Sequence, residues 1–195
     1  MEFWFDFGSN YSYLTVMRIE ARARAAGVDL AWRPFLLGPI FRELGWETSP
    51  FVLQAEKGRY TWNDMRRRAV KYGLAFNMPS TFPRSALLPA RVALLGAGEP
   101  WIGEFCRRVM LQNFVDDLDI DDPANTRRAL DRLVPDPDAV MQAAQSAANK
   151  ARLREQTAAA HARGIFGAPT FFVGDEMFWG DDRLEDALAF AAAGS

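Results

Sequence analysis

The chain has 195 residues, 49% of them hydrophobic and 13% aromatic, with 6 Trp and 15 Phe, which fits one compact domain or a small domain carrying a large insertion, and argues against disorder. Its 23 Lys and Arg against 25 Asp and Glu leave a net charge of -2, which supplies no global field for nucleic acid. The single Cys106 excludes an internal disulfide or a zinc cage and all but excludes redox chemistry by the protein's own thiols.

In chain order, residues 2 to 7 place Phe3, Phe5 and Phe7 on one face and Trp4 and Asp6 on the other, so a central strand covered on both faces is expected, with Asp6 the exception. From Ser9 the pattern turns helical through Leu14, Met17 and Ala21, with Glu20 and Arg24 spaced to pair, and Gly27 stops it. "VDLAWRPF" reads as a second strand ended by Pro34, so the opening is a right-handed βαβ unit. Residues 36 to 51, "LLGPIFRELGWETSPF", read as an ordered aromatic loop. Helical segments then run over 59–73, 85–98, 100–114, 123–134 and 137–164, where Cys106 reads as a small core residue and His161 as a structural residue at a helix end. "DDLDIDD" before Pro123 reads as helix capping, and "RRR" at 66–68 as a solvated helix face. "TFFV" and "MFW" around "GDE" predict a hairpin, succeeded by a helix with an Asp N-cap from "GDD". Strands at both ends of the chain should join one sheet.

Strand, helix, strand, a later "GAPT", a hairpin and a final helix is the element order of the thioredoxin fold. Here Ser9-Asn10-Tyr11-Ser12 stands at the Cys-x-x-Cys place and Ala168-Pro169 at that of the cis-proline. Oxygen has replaced both sulfurs. A hydroxyl cannot exchange disulfides, but at a helix N-terminus it can donate a hydrogen bond to another molecule's thiolate.

"FDFGSNYSYL", "AEKGRYTWNDMRRRAVKYG" and "RGIFGAPTFFVGDEMFWGDDRL", with the helical block between them, resemble the 2-hydroxychromene-2-carboxylate isomerase family, relatives of kappa-class glutathione transferases and of disulfide oxidoreductases with a helical insertion. The resemblance implies an α/β thioredoxin-like fold with a large all-helical insertion: residues 1–36 and 163–195 would form the thioredoxin-like part and 37–162 the insertion. It implies glutathione as cofactor and an aromatic or chromene-type carboxylate as substrate in aromatic catabolism. Ser9 would face the glutathione sulfur, with Asn10 beside it. Ala168, next to Pro169, would pair with the cysteinyl backbone, and Asp181 and Asp182 would receive the γ-glutamyl amine and carboxylate. Lys57 and Tyr60 match a segment near tripeptide and substrate. Trp46 and Arg84 are further pocket candidates, and Lys57, Arg33, Arg59 and Arg84 are candidate cations for a substrate carboxylate. No metal is implied, and a homodimer is compatible with the resemblance.

Three positions depart from the family pattern. Asn10 stands where many members have Pro, Ser85 where Asn is common, and Glu47 where members read "GWNTSPF". An anion at Glu47 weakens binding of an anionic tripeptide unless a Lys or Arg intervenes. Two other readings stay open: a kappa-type transferase that consumes glutathione, and a non-catalytic thioredoxin-like binding module in which Ser9 is only an N-cap. Neither a membrane span nor an export or targeting signal is apparent, so a cytoplasmic protein without membrane or nucleic-acid partners is expected.

Overall fold

A computed structural model describes residues 1–194. Strands β1 (Glu2–Phe5), β2 (Ala31–Pro34), β3 (Thr170–Val173) and β4 (Glu176–Trp179) form one sheet in the order β2-β1-β3-β4. β1 runs parallel to β2 and antiparallel to β3, with Phe3 opposite both Trp32 and Phe171. Strands from the two ends of the chain therefore meet, and β1 is central as its doubly apolar pattern requires. Phe3, Phe5, Phe7 and Phe171 are buried on one face, where Phe7 meets Phe105 edge-on with ring centroids 6.2 Å apart. Trp4 and Phe172 lie on the other face, with Phe35, Ile40, Ala160 and Ile165. Cys106 is fully buried within the first cluster, where burial pushes its thiol pKa well up, so the thiol is inert.

The helix expected after Ser9 is two helices, α1 (Asn10–Val16) and α2 (Ile19–Ala25). The cause is Arg18. Its backbone N–H turns to Thr15 O at 2.9 Å, and its own Nε takes Leu14 O at 3.0 Å, so the side chain substitutes for the bond a continuous helix would make. Glu20 bonds Arg107 rather than the Arg24 expected from spacing.

Eight helices lie between β2 and β3: α3 (Leu37–Glu43), α4 (Pro50–Leu53), α5 (Ala55–Tyr72), α6 (Leu87–Leu95), α7 (Ile102–Phe114), α8 (Pro123–Leu130), α9 (Pro137–Ala144) and α10 (Ala147–Ala162). The stretch expected as a loop thus contains α3 and the start of α4. Ser49 caps α4 by accepting from Phe51 N at 3.2 Å, with Pro50 at the first position, a signal present in the sequence. The segment expected as one helix over 137–164 splits where Ser146 caps α10 through Asn149 N at 3.2 Å. Asp122 caps α8 by accepting from Ala124 N and Asn125 N. His161 pairs with Glu43, Nδ1 to Oε2 2.6 Å, joining α10 to α3.

The hairpin is as expected, turning at Gly174 with φ 58°. The chain beyond it departs from expectation. A 3₁₀ turn over Asp181–Arg183 leads into α11 (Leu184–Ala193), and neither Asp181 nor Asp182 caps that helix. Asp181 is drawn into the protein instead, and it fixes one side of the site.

Candidate active site

The chain leaves β1 through Asp6, which is 8% exposed. Its carboxylate accepts from Gly8 N at 2.7 Å and Leu37 N at 2.7 Å, tying the strand end to the start of α3. Burial pushes its pKa above the ordinary aspartate value, against the pull of the two amides. The two N–H groups bond to different oxygens, and in Asn one of those positions carries an NH2 that donates and cannot accept. Asp6→Asn is expected to lower stability by about 1–3 kcal/mol, read from the urea midpoint.

Ser9 is the N-cap of α1, in extended conformation at φ -84° and ψ 120°. Its Oγ accepts from Ser12 N at 3.2 Å and donates to Ala168 O at 2.8 Å. The Ala168-Pro169 peptide is cis. The first helix and the loop before β3 therefore meet at one hydroxyl, 8% exposed. Ser12 Oγ and Asn10 Nδ2 beside it are buried without hydrogen-bond partners.

Ser9 opens onto a cavity of about 1000 Å³. Asn10, Lys57, Tyr60, Ala168 and Asp182 all line it, and Lys57 and Tyr60 share one face of α5 at i,i+3. Phe51, Phe82, Phe166 and Trp179 give it aromatic walls. Phe166 and Trp179 meet edge-to-face with centroids 4.7 Å apart.

Other expected residues fall elsewhere. Trp46 packs on Phe41 at 5.6 Å and is outside the cavity wall, as is Pro169 itself. Arg84 reaches the wall, but its side chain is 7% exposed and its guanidinium is bound to Asn113 Oδ1 at 3.0 Å and to Asp117. Arg33 and Arg59 pair with Glu2 and Glu56 and do not line the cavity. Of the departures, both Glu47 and Ser85 line it.

Asp181 has no exposed side-chain surface. It accepts from Arg18 Nη2 at 2.5 Å, Thr15 Oγ1 at 3.1 Å, Arg68 Nη1 at 3.2 Å and Tyr72 OH at 3.3 Å. Asp182 is half-exposed and pairs with Arg183 at 3.2 Å. Arg68, read from sequence as part of a solvated face, is a wall residue held by Asp64 at 2.8 Å. Burial opposes its charge, yet Asp64 and the charges of Asp181 and Asp182 raise its pKa. Arg42 on α3 is a second cation of the wall that sequence reasoning missed. Both could be found only by knowing which helix faces the cleft.

A mixed sheet with a helical block between β2 and β3, and a serine hydroxyl facing a cis-proline loop across the cleft, defines a thioredoxin-fold protein without the redox cysteine pair. The chain belongs to the family of DSBA-like thioredoxin domains, whose model matches residues 1–190. It resembles the 2-hydroxychromene-2-carboxylate isomerase of Sphingobium xenophagum, at 29% identity over 95% of this chain and 94% of that protein. A solved 2-hydroxychromene-2-carboxylate isomerase superposes with TM-score 0.86 at 27% identity, covering 99% of this chain and 93% of that one. The cytosolic disulfide reductase DsbM from Pseudomonas aeruginosa, solved with GSH, shares the fold at TM-score 0.69 and 14% identity, over 99% of this chain and 97% of that one.

Proposed function

We propose that the protein is a glutathione-dependent isomerase of 2-hydroxychromene-2-carboxylate-type substrates. The observation that carries this is the Ser9 hydroxyl, buried at a helix start, 2.8 Å from Ala168 O and opening onto a large aromatic cavity. The names of the relatives agree with the isomerase part of this reading.

The residues present fit the tripeptide. Asn10 lines the cavity and its Nδ2 has no hydrogen-bond partner, and Ala168 offers a backbone edge beside the cis-proline. Lys57 lines the cavity with no acidic partner among the described residues, so it can receive a carboxylate. Glutathione supplies, when bound, a thiolate that adds reversibly to the conjugated substrate, frees a bond to rotate, and leaves unchanged. Ser9 would turn its hydroxyl from Ala168 O towards the sulfur, and the positive end of α1 would favour the anion. Arg42, also without an acidic partner among the described residues, is placed for the substrate's carboxylate, and the aromatic walls hold its ring and exclude water.

Glu47 puts a negative charge in the same wall. Glu47→Asn is expected to tighten glutathione about two- to fivefold, as removal of a solvent-screened like charge should, measured by calorimetry.

The proposal is tested by measuring conversion of 2-hydroxychromene-2-carboxylate to its ring-opened isomer while free thiol is counted. Turnover that requires glutathione and leaves the thiol constant supports an isomerase. One thiol lost per turnover indicates a kappa-type transferase, and no turnover removes the assignment.

A further inference from the structure

We infer that a second cleft, between α2 and α5, is a phosphate site in which Arg22, Arg67 and Lys71 take a phosphate group, free or carried by a sugar or nucleotide. The cleft measures about 590 Å³ and is bounded by α2, α5, the 3₁₀ turn and the start of α11. It shares only Asp64, Arg68, Asp181 and Asp182 with the Ser9 cavity, so these four residues form the boundary between the two. The site does not depend on the isomerase reading.

Five cations and four carboxylates line this cleft, and the carboxylates are already engaged. Asp181 is held by Arg18 and Arg68, and Asp64 by Arg68 and Tyr11. Asp182 pairs with Arg183, which lies outside the cleft. Glu185 reaches Arg22 at 3.4 Å, but both side chains are more than half exposed, and such a pair is worth little in water, so Arg22 can leave it for a stronger anion. Arg67 and Lys71 have no acidic partner among the described residues, and Lys71 has only the Tyr72 ring at 5.6 Å. Spaced i,i+4, they share one face of α5 and repel each other, which an anion between them relieves. Arg22 faces the same cleft from α2. Cations from two helices can each bond a different oxygen of a phosphate dianion, whereas a carboxylate offers two oxygens and a single charge. The cleft is larger than a phosphate ion needs, and Tyr72, with Arg18 stacked over it at 3.6 Å, gives a flat wall for the group a phosphate is attached to.

Calorimetry of the full chain with inorganic phosphate, ribose 5-phosphate and AMP tests the site. Saturable binding of one phosphate group per chain is expected; esters that bind more tightly than inorganic phosphate mark an ester as the ligand, and equal affinities mark the free ion. Arg67→Gln and Lys71→Gln should each weaken binding about five- to tenfold, as loss of a charged hydrogen bond implies. Glu185→Gln should tighten it about twofold by releasing Arg22. Arg66→Gln is the control: Arg66 is on the same helix but bonds Asn63 at 3.2 Å and does not line the cleft, so binding should stay within about twofold of wild type. A loss for Arg66→Gln equal to that for Arg67→Gln and Lys71→Gln overturns the site, because binding would then be diffuse attraction to a basic helix; so does no loss in those two. No saturable binding of any of the three probes overturns it as well, a readout that needs no variant to fold. Repeating the titration with saturating glutathione separates the two cavities: an unchanged phosphate affinity upholds a distinct site, and full displacement overturns it by giving these cations to the Ser9 cavity.

Discussion

Asp181→Ala is expected to destabilise the protein by about 3 kcal/mol, because removing one partner of a buried ion cluster leaves the others uncompensated. Arg18 is 11% exposed on its side chain and Arg68 24%, so both keep some access to water, which holds the cost to the lower part of the range for such losses. The aspartate joins elements far apart in the sequence: α1 through Thr15, the α1–α2 break through Arg18, and α5 through Arg68 and Tyr72. Arg18 also lies over the Tyr72 ring at 3.6 Å, an arrangement that has no reason to persist without the carboxylate. Asp181→Asn, which keeps the shape and part of the bonding, should cost about half as much. Urea denaturation should show a lowered midpoint at constant slope; a loss under about 1 kcal/mol for Asp181→Ala would mean the cluster is only a surface arrangement.

The second large effect concerns the hydroxyl. Ser9→Ala is expected to reduce kcat for isomerisation about 10²-fold with KM little changed, the pattern for a donor whose bond strengthens as charge develops on the sulfur. Stability should fall by only about 1 kcal/mol, the ordinary worth of an N-cap. The two readouts separate the roles. A residue that only caps α1 would show the stability loss without the rate loss.

Those two residues also show how far local sequence reaches. Ser9 is legible because its signals are local: a period-two strand ending at Phe7, a helical pattern starting at Asn10, and a small hydroxyl between them. Ala168-Pro169 is legible by resemblance, and the central place of β1 comes from an apolar pattern on both faces. Asp181 is legible as a candidate, but its environment is not. Its partners Arg18 and Arg68 lie 163 and 113 residues away, and no local pattern shows that two cations will converge on one buried carboxylate. The same distance effect explains the break between α1 and α2, since Arg18 leaves the helix to reach the aspartate. α3 is hidden because Gly38 and Pro39 interrupt the apolar period, although a proline in the first turn is compatible with a helix. Trp46 and Arg84 are pocket candidates by residue type alone; packing against Phe41 keeps Trp46 out of the wall, and pairing with Asp117 occupies the charge of Arg84 at it.

Stabilisation of a bound thiolate by Ser9 is read most directly from the ultraviolet thiolate absorbance of glutathione as it titrates the wild type and Ser9→Ala at neutral pH, with calorimetry to fix occupancy. A free thiol with a pKa of about 8.5 is mostly protonated there. A saturable thiolate signal is therefore expected on the wild type, falling severalfold in the variant at equal occupancy. Equal thiolate signals per bound glutathione in the two proteins would contradict this role, and would leave Ser9 as the N-cap of α1 and nothing more.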